Sequence, residues 1–414
     1  MLERHELSAS HLEHLAEDLA RFHAAAAVAL PESGFGSAAA VTAPALDNLD
    51  VLKQQASVQR ERIALESWTR AEALRLAQHF EQRRIERAVR ECHGDLHLGN
   101  MLLGEGRIRV FDCLEFSEAL RWIDVISDMA FLAMDLRQRG RADLAGVVLD
   151  RWLQKTGDYA GLRAWRWYRV YRALVRVKVA ALRLSQSRED SVAEANHREL
   201  WRYLEEARSV AAAPAGQLVL CHGVSGSGKT QLAQRLCRQL GWIRLCSDIE
   251  RRRLFGRWGA LLASQPLSGD PYRPEVSERL YGDVLLSAAE QALLAGENMI
   301  VDATFLRRSQ RHRFQQLARR CGVRCRILDC RVSEAVAASR IERRQRQGTD
   351  PSEANLTVLR AQWDQREPLE AEELEVSLVV DLDGGLEQQT WTWLLTQLGG
   401  FGAAATRLID PDLT

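Results

Sequence analysis

The chain has 414 residues, 46% hydrophobic and 27% charged, with 56 basic and 56 acidic residues and a formal net charge of zero. That length suits two or three globular domains. A pI near 7.2 gives no global basic field of the kind that marks nucleic-acid or anionic-membrane binders. No apolar run of about 18 residues and no signal-peptide core occurs, so a cytoplasmic protein without a membrane partner is expected. The eight cysteines (92, 113, 221, 237, 246, 321, 325, 330) lack paired C-x-x-C spacing and read as free thiols in a reducing compartment.

In chain order, residues 2–30 predict one helix, with Leu7, Leu12, Leu15, Leu19 and Phe22 on its apolar face. Pro31 and the glycines after it break that pattern, and 31–50 reads as loop. Residues 51–90 predict further charged helices, with Ile63, Leu65, Trp68, Leu74, Leu76 and Phe80 as core candidates. His5, His11, His14 and His23 fall before residue 30. His11 and His14 share a helix face, but with no cysteine or second pair nearby they read as surface residues rather than metal ligands.

Next comes Cys92-His93-Gly94-Asp95-Leu96-His97-Leu98-Gly99-Asn100, then a hairpin pattern ending in Val110-Phe111-Asp112. An Asp and an Asn five residues apart on a loop, followed by a second Asp, resemble the catalytic core of the protein-kinase-like fold, in particular the aminoglycoside/choline phosphotransferase group. The resemblance implies Asp95 as base for an acceptor hydroxyl, with Asn100 and Asp112 as Mg²⁺ ligands. It also implies that Asp128, opening a helix, supports the catalytic loop. A departure accompanies it: residues 1–91 show no alternating strands, and their one lysine, Lys53, sits in a helical stretch. The lobe that grips phosphate in that family is therefore missing from the pattern, and the Asp95 site reads as degenerate. Residues 165–184 predict a long helix whose Arg/Lys face (166, 169, 172, 176, 178, 183) reads as solvated.

Pro214 and Gly216 mark a boundary, giving 1–210 as a mainly helical domain, 211–217 as linker, 218–400 as a second domain and 401–414 as a tail. The second domain opens on an apolar strand, 218–222, followed by Gly223-Val224-Ser225-Gly226-Ser227-Gly228-Lys229-Thr230 and a helix over 229–240. This is the phosphate-binding G-x-x-x-x-G-K-T loop in its strand-then-helix context. Its glycines free the backbone to turn N–H groups inward, and the helix adds its positive end. Gly223, Ser225, Gly226, Ser227, Gly228, Lys229 and Thr230 are thus the nucleotide-binding candidates, with Thr230 able to ligate Mg²⁺. Of the 56 basic residues only four are lysines, at 53, 155, 178 and 229, and the last occupies the phosphate position.

Strand candidates at 243–246, 298–303, 324–330 and 376–381 alternate with helices at 275–295, 308–321, 333–346, 352–367 and 386–398. That rhythm predicts an α/β domain with a mostly parallel sheet, helices on both faces, and its site at the strand C-termini. Asp248 follows the second strand, Asp302 ends the third, and Arg340 and Arg344 share a helix face. Together these resemble the small P-loop kinases (the gluconate kinase, polynucleotide kinase and zeta-toxin group). The resemblance implies Asp248 as general base, Arg252 as an acceptor-site partner, Asp302 as a Mg²⁺ or water-organising group, and Arg340 and Arg344 as lid arginines.

The whole chain resembles bacterial fusions of an aminoglycoside phosphotransferase-like domain with a P-loop ATP-binding domain. The expectation is an ATP- and Mg²⁺-dependent kinase acting on a small-molecule hydroxyl. Two alternatives stay open: an ATPase switch with the N-terminal domain as a binding module, and modification of a nucleic-acid or nucleotide-sugar end, which the neutral charge disfavours. The sequence names neither the acceptor nor the oligomeric state.

Overall fold

A computed structural model of the chain describes residues 7–262, 265–347, 352 and 354–399. Helix α1 (Ala9–Ala25) starts on a capping box: Ser8 Oγ accepts the His11 N–H and His11 Nδ1 accepts the Ser8 N–H. Residues 31–50 are not all loop. Ser37 caps a second helix, α2 (Ala38–Asp50), with Pro44 inside it. The proline removes one ladder bond, but buried Ala45 and Leu49 anchor the helix. Helix α3 (Gln59–Ile85) follows. Its buried stripe runs Leu65, Thr69, Ala73, Leu76, Phe80 and Arg83. Ile63 and Leu74 fall off that stripe and are 58% and 81% exposed, so these two core expectations fail.

Strand β1 (Val89–Glu91) leads to the catalytic-type loop. The hairpin β2 (Met101–Gly104) and β3 (Arg107–Val110) comes next, then α4 (Glu118–Arg121) and β4 (Trp122–Asp124), which pairs antiparallel with β1. Helices α5 (Val125–Gln138), α6 (Ala142–Thr156), α7 (Trp165–Gln186) and α8 (Asp190–Ala212) complete the helical region. At its centre Arg83, 1% exposed, donates to Asp124 Oδ2 and Oδ1 at 2.7 Å each and to Asp158 Oδ2 at 2.7 Å. One guanidinium thus ties α3 to the start of α5 and to the turn after α6.

The basic face of α7 is not solvated as expected. Arg172 is 2% exposed and Arg169 9%. Arg169 bonds Glu206 on α8 and Glu297 of the C-terminal region, and Arg166 donates to the Val210 and Ala213 carbonyls. Their neighbours Arg172 and Arg176 lie over the rings of Phe131 and Tyr203. From Arg166 to Arg176 the face is an internal seam, while Arg183 at its end stays exposed as expected.

The C-terminal region runs β5 (Gln217–His222), α9 (Lys229–Leu240), β6 (Ile243–Cys246), α10 (Ser247–Leu254), α11 (Pro274–Arg279), α12 (Leu285–Leu294), β7 (Met299–Asp302), α13 (Arg308–Arg320), β8 (Arg324–Arg331), α14 (Glu334–Gln347), α15 (Leu356–Gln365), α16 (Ala371–Glu375), β9 (Ser377–Asp381) and α17 (Gln388–Gln397). The five strands form one parallel sheet in the order β6-β7-β5-β8-β9. Alternation along β5 fills both faces. Leu218 and Leu220 join a cluster with residues of α12 and α13, while Val219 and Cys221 join one with α9 and α17.

The two regions meet over packed surface rather than across a flexible spacer. Helix α8 ends at Ala212 and β5 begins at Gln217, yet one buried cluster runs from α1, α5, α6 and α7 into β5, β6, β7 and α12. A Cβ on Gly146 of α6 would lie 2.5 Å from Gly241 Cα just after α9, so this crossing requires glycine. The Arg253 and Trp258 side chains donate to the Gln154 carbonyl at 2.7 Å each. The expected tail, 401–414, lies outside the described residues. All eight cysteines are free. Among the described residues no helix is long and apolar enough to cross a membrane.

Candidate active site

The parallel sheet places the ends of β5, β6 and β7 side by side, with Cys246 in register with Asp302. The loop from Gly223 to Thr230 rises from β5 and enters α9. Gly223, Gly226 and Gly228 have φ of 147°, 82° and 90°. A Cβ on Gly226 would also lie 2.5 Å from the Ala337 carbonyl oxygen, so the loop can nest against α14 only with glycine there. Among the described residues the N–H groups of Gly226 and Gly228 have no protein acceptor, and the buried Ser227 hydroxyl has no partner. Gln362 of α15 takes one loop amide, its Oε1 accepting the Ser225 N–H at 2.7 Å. Lys229, 9% exposed, donates to the Val224 carbonyl at 3.1 Å and forms no ion pair with a described carboxylate.

Thr230 Oγ1 donates to Asp302 Oδ1 at 3.1 Å. The other oxygen, Asp302 Oδ2, accepts from Arg244 of β6 at 2.9 Å, with both side chains almost wholly buried. Arg244 is in turn held by the helical region, its backbone N–H donating to Asp150 of α6 at 2.9 Å. Burial pushes the Asp150 carboxyl up, against the lowering effect of Arg244.

These features fit a nucleotide polyphosphate. Inward amides without acceptors, an orphan hydroxyl, a helix N-terminus and a buried ammonium are the groups that phosphate oxygens satisfy. The Thr230 hydroxyl and Asp302 carboxylate are hard oxygen donors that suit Mg²⁺.

Asp248, half-buried near the start of α10, opens onto a separate cleft lined by Arg251, Arg252, Phe255, Arg257, Pro271 and Tyr272. Arg340 lies under the loop, 3.4 Å from each of the Gly226 and Ser227 carbonyls and 2.5 Å from that of Leu382. Arg344 instead donates to the Ala354 carbonyl at 2.9 Å. The structure therefore brings Lys229, Thr230, Asp302 and Arg340 to one loop, sets Asp248 on the same sheet edge, and turns Arg344 toward the segment after α14.

The second constellation sits in the helical region. Asn100 Nδ2 donates to the Asp95 carbonyl and Asp95 Oδ2 at 3.0 Å each, and lies 3.4 Å from the Asp112 carbonyl, so Asp95, Asn100 and Asp112 are brought together. Asp112 adopts φ 61°, an uncommon backbone for a non-glycine. Burial alone raises the Asp95 pKa, but the hydrogen bonds of His97 and Asn100 outweigh it and hold the carboxyl below its ordinary value.

Beneath this loop, Asp128 accepts the N–H groups of His93 and Gly94 at 2.9 and 3.0 Å. His23 is fully buried, with Nε2 3.4 Å from Asp128 and Nδ1 accepting the Trp152 indole N–H at 3.1 Å. Arg172 donates to the Gly94 carbonyl at 2.8 Å. Lys53 stays at the surface, paired with Asp50. Sequence reasoning missed Arg244, Gln362, Arg251 and Arg172, whose roles depend on what the fold packs beside them.

Residues 2–171 match the model of the phosphotransferase enzyme family, and residues 218–369 match that of the AAA domain. Uncharacterized proteins of Mycobacterium tuberculosis and Mycobacterium bovis are 31% identical over 290 residues, 69% of this chain. That stretch is 57% of the relatives' own length, so the match spans little more than half of them. Solved structures similar to part of the chain include a sugar kinase from Janibacter (23% identity, TM-score 0.32, 46% of this chain and 99% of that one). A gluconokinase from Sinorhizobium meliloti is another (22% identity, TM-score 0.29, 45% of this chain and 92% of that one). With the phosphate-type loop and the Asp95 constellation in place, the two matches make the chain a phosphotransferase-like region followed by a P-loop region similar to the AAA domain.

Proposed function

We propose that the C-terminal region transfers the γ-phosphate of ATP to a hydroxyl of a small molecule, and that the Asp95 site is not an independent phosphotransferase. The observation that carries this reading is Lys229, a buried ammonium at a helix N-terminus whose partner among the described residues is the Val224 carbonyl. A buried cation without a counter-charge is costly, and a polyphosphate supplies the missing charge.

In this reading the loop amides and the start of α9 hold the phosphates, and Lys229 bridges the β- and γ-groups. Thr230 and Asp302 would hold Mg²⁺, which supplies charge neutralisation on the phosphate oxygens. Arg244 fixes the orientation of Asp302, and Arg340 adds positive charge beside the loop, with Arg344 one turn further along. Asp248 accepts the hydroxyl proton as the acceptor oxygen bonds the γ-phosphorus. The bond to the β–γ bridging oxygen breaks, and ADP leaves.

The Asp95 constellation lacks a comparable grip: Lys53, the one lysine before it, pairs with Asp50 at the surface. The alternative, an ATPase switch, draws support from the link Asp150–Arg244–Asp302–Thr230, which ties the loop to the helical region.

Asp248→Asn separates the two. For a transferase, phosphorylation of an acceptor falls by about a hundredfold or more while ATP affinity holds, as read by product formation and ATP titration. Retained hydrolysis, with no acceptor phosphorylated by the wild type, supports the switch.

A further inference from the structure

The helical region reaches into the wall of the P-loop site. Strand β6 is the edge of the parallel sheet. The Ile243 N–H turns inward to the Asn298 carbonyl, while the next residue, Arg244, presents its backbone outward. An edge strand leaves such groups unpaired, and here helical-region side chains meet them. Asp150 accepts the Arg244 N–H at 2.9 Å, and the Tyr159 hydroxyl lies 3.5 Å from the Arg244 carbonyl. The packing is close: a Cβ on Gly146, one turn before Asp150 on α6, would lie 2.5 Å from Gly241 Cα.

The Arg244 side chain carries this contact into the site. It is 3% exposed, and its Nη1 donates to Asp302 Oδ2 at 2.9 Å. Asp302 keeps Oδ1 for the Thr230 hydroxyl. Arg244 thus sets the plane of the carboxylate that, with Thr230, offers oxygen to a metal ion. Burial disfavours the guanidinium charge, and the carboxylates that favour it are Asp302 and Asp150. Asp150 has that charge to give. It also accepts the Gln154 side-chain amide, but among the described residues it forms no ion pair of its own. With a metal bound, Asp302 serves two positive charges. Asp150 then offsets the guanidinium from the seam, and its hold on the Arg244 backbone keeps the fork in place.

We propose that Asp150 is a positioning residue for the metal site of the P-loop region: acting through Arg244, it holds Asp302 in the orientation that takes the metal. The helical region therefore completes a site whose two candidate ligands, Thr230 and Asp302, lie in the other region. This rests on the metal assignment made above, and it holds whether the phosphoryl group goes to an acceptor or to water.

The test measures ATP affinity of the full chain by calorimetry, in EDTA and with Mg²⁺. The ratio of the two affinities is the contribution of the metal. Asp302→Asn is the reference and is expected to lower that ratio directly. Asp150→Asn keeps an acceptor for the Arg244 N–H and removes the charge. It is expected to cut the ratio by about tenfold, while ATP affinity in EDTA does not fall. Asp150→Glu, which keeps the charge, is expected to retain more of the ratio than Asp150→Asn. In the double variant the two losses should fall well short of adding, because both act on one carboxylate. Arg244→Lys keeps a cation but not the fork and is expected to lower the ratio too, which tests the route even if Asp150→Asn does not fold.

An undiminished ratio in Asp150→Asn or in Arg244→Lys, or a loss in Asp150→Asn that adds in full to that of Asp302→Asn, overturns this inference and leaves the metal assignment intact. A wild-type affinity that Mg²⁺ does not raise, or an unchanged ratio in Asp302→Asn, removes both.

Discussion

The two candidate sites of this chain satisfy their polar groups in different ways. Around Asp95 most groups serve one another: Asn100 bonds Asp95, Asp128 takes two loop amides, and His23 and Trp152 complete the set below, while buried Arg172 holds the Gly94 carbonyl and Ser127 and keeps one nitrogen without a partner. Around Lys229 the protein leaves charge unmet: a buried ammonium bonded to a neutral carbonyl, two amides without acceptors among the described residues and an orphan serine hydroxyl. A folded chain tolerates such vacancies where a ligand completes them. In the proposed reading the P-loop region carries the ligand chemistry and the Asp95 region a largely structural role.

The largest expected effect on this comparison comes from Arg83. Arg83→Met leaves Asp124 and Asp158 buried without their cation and should cost about 3–5 kcal/mol of stability, read by denaturant unfolding. Nucleotide affinity of the folded fraction should not change. If affinity falls with stability, the helical region contributes to binding directly.

His79 gives an intermediate effect. Burial, then the positive charge of Arg83, pushes its pKa down to about 4. The unfolded chain, with an ordinary histidine, binds the extra proton between about pH 6.5 and 4. Stability should therefore fall as pH drops through that window, by about 2 kcal/mol after allowing for partial exposure to water. His79→Gln should flatten this part of the profile, and an unaltered profile contradicts the assignment.

The smallest expected effect is at Gln362, which occupies the Ser225 amide. Gln362→Ala should tighten ATP binding by roughly threefold to tenfold, the worth of one competing hydrogen bond. Weaker binding would mean that Gln362 belongs to the bound state.

Much of the parallel-sheet region was legible in the sequence because its strands are short apolar runs bounded by turn residues and separated by helical patterns. The predicted strand at 298–303, for instance, forms as β7 (Met299–Asp302). The helical region was harder. Pro44 hid α2, whose stability comes from Leu49 packing across the fold. The basic face of α7 looked solvated because periodicity cannot show that Glu206 and Glu297 arrive from other elements to meet Arg169.

The site divides in the same way. The G-x-x-x-x-G-K-T loop is local chemistry and stands out in any chain. Arg244, Arg251 and Gln362 are single residues, two of them arginines in an arginine-rich sequence, and only tertiary contacts distinguish them from their neighbours.

The central claim is that nucleotide binds at Lys229 and not at Asp95. Calorimetric titration of ATP with Mg²⁺ into the wild type, Lys229→Ala and Asp95→Asn tests it most directly. The account predicts a loss of affinity of about a hundredfold or more in Lys229→Ala and a change within about twofold in Asp95→Asn, since no nucleotide contact there remains to be lost. Unchanged binding in Lys229→Ala, with binding abolished in Asp95→Asn, would contradict it.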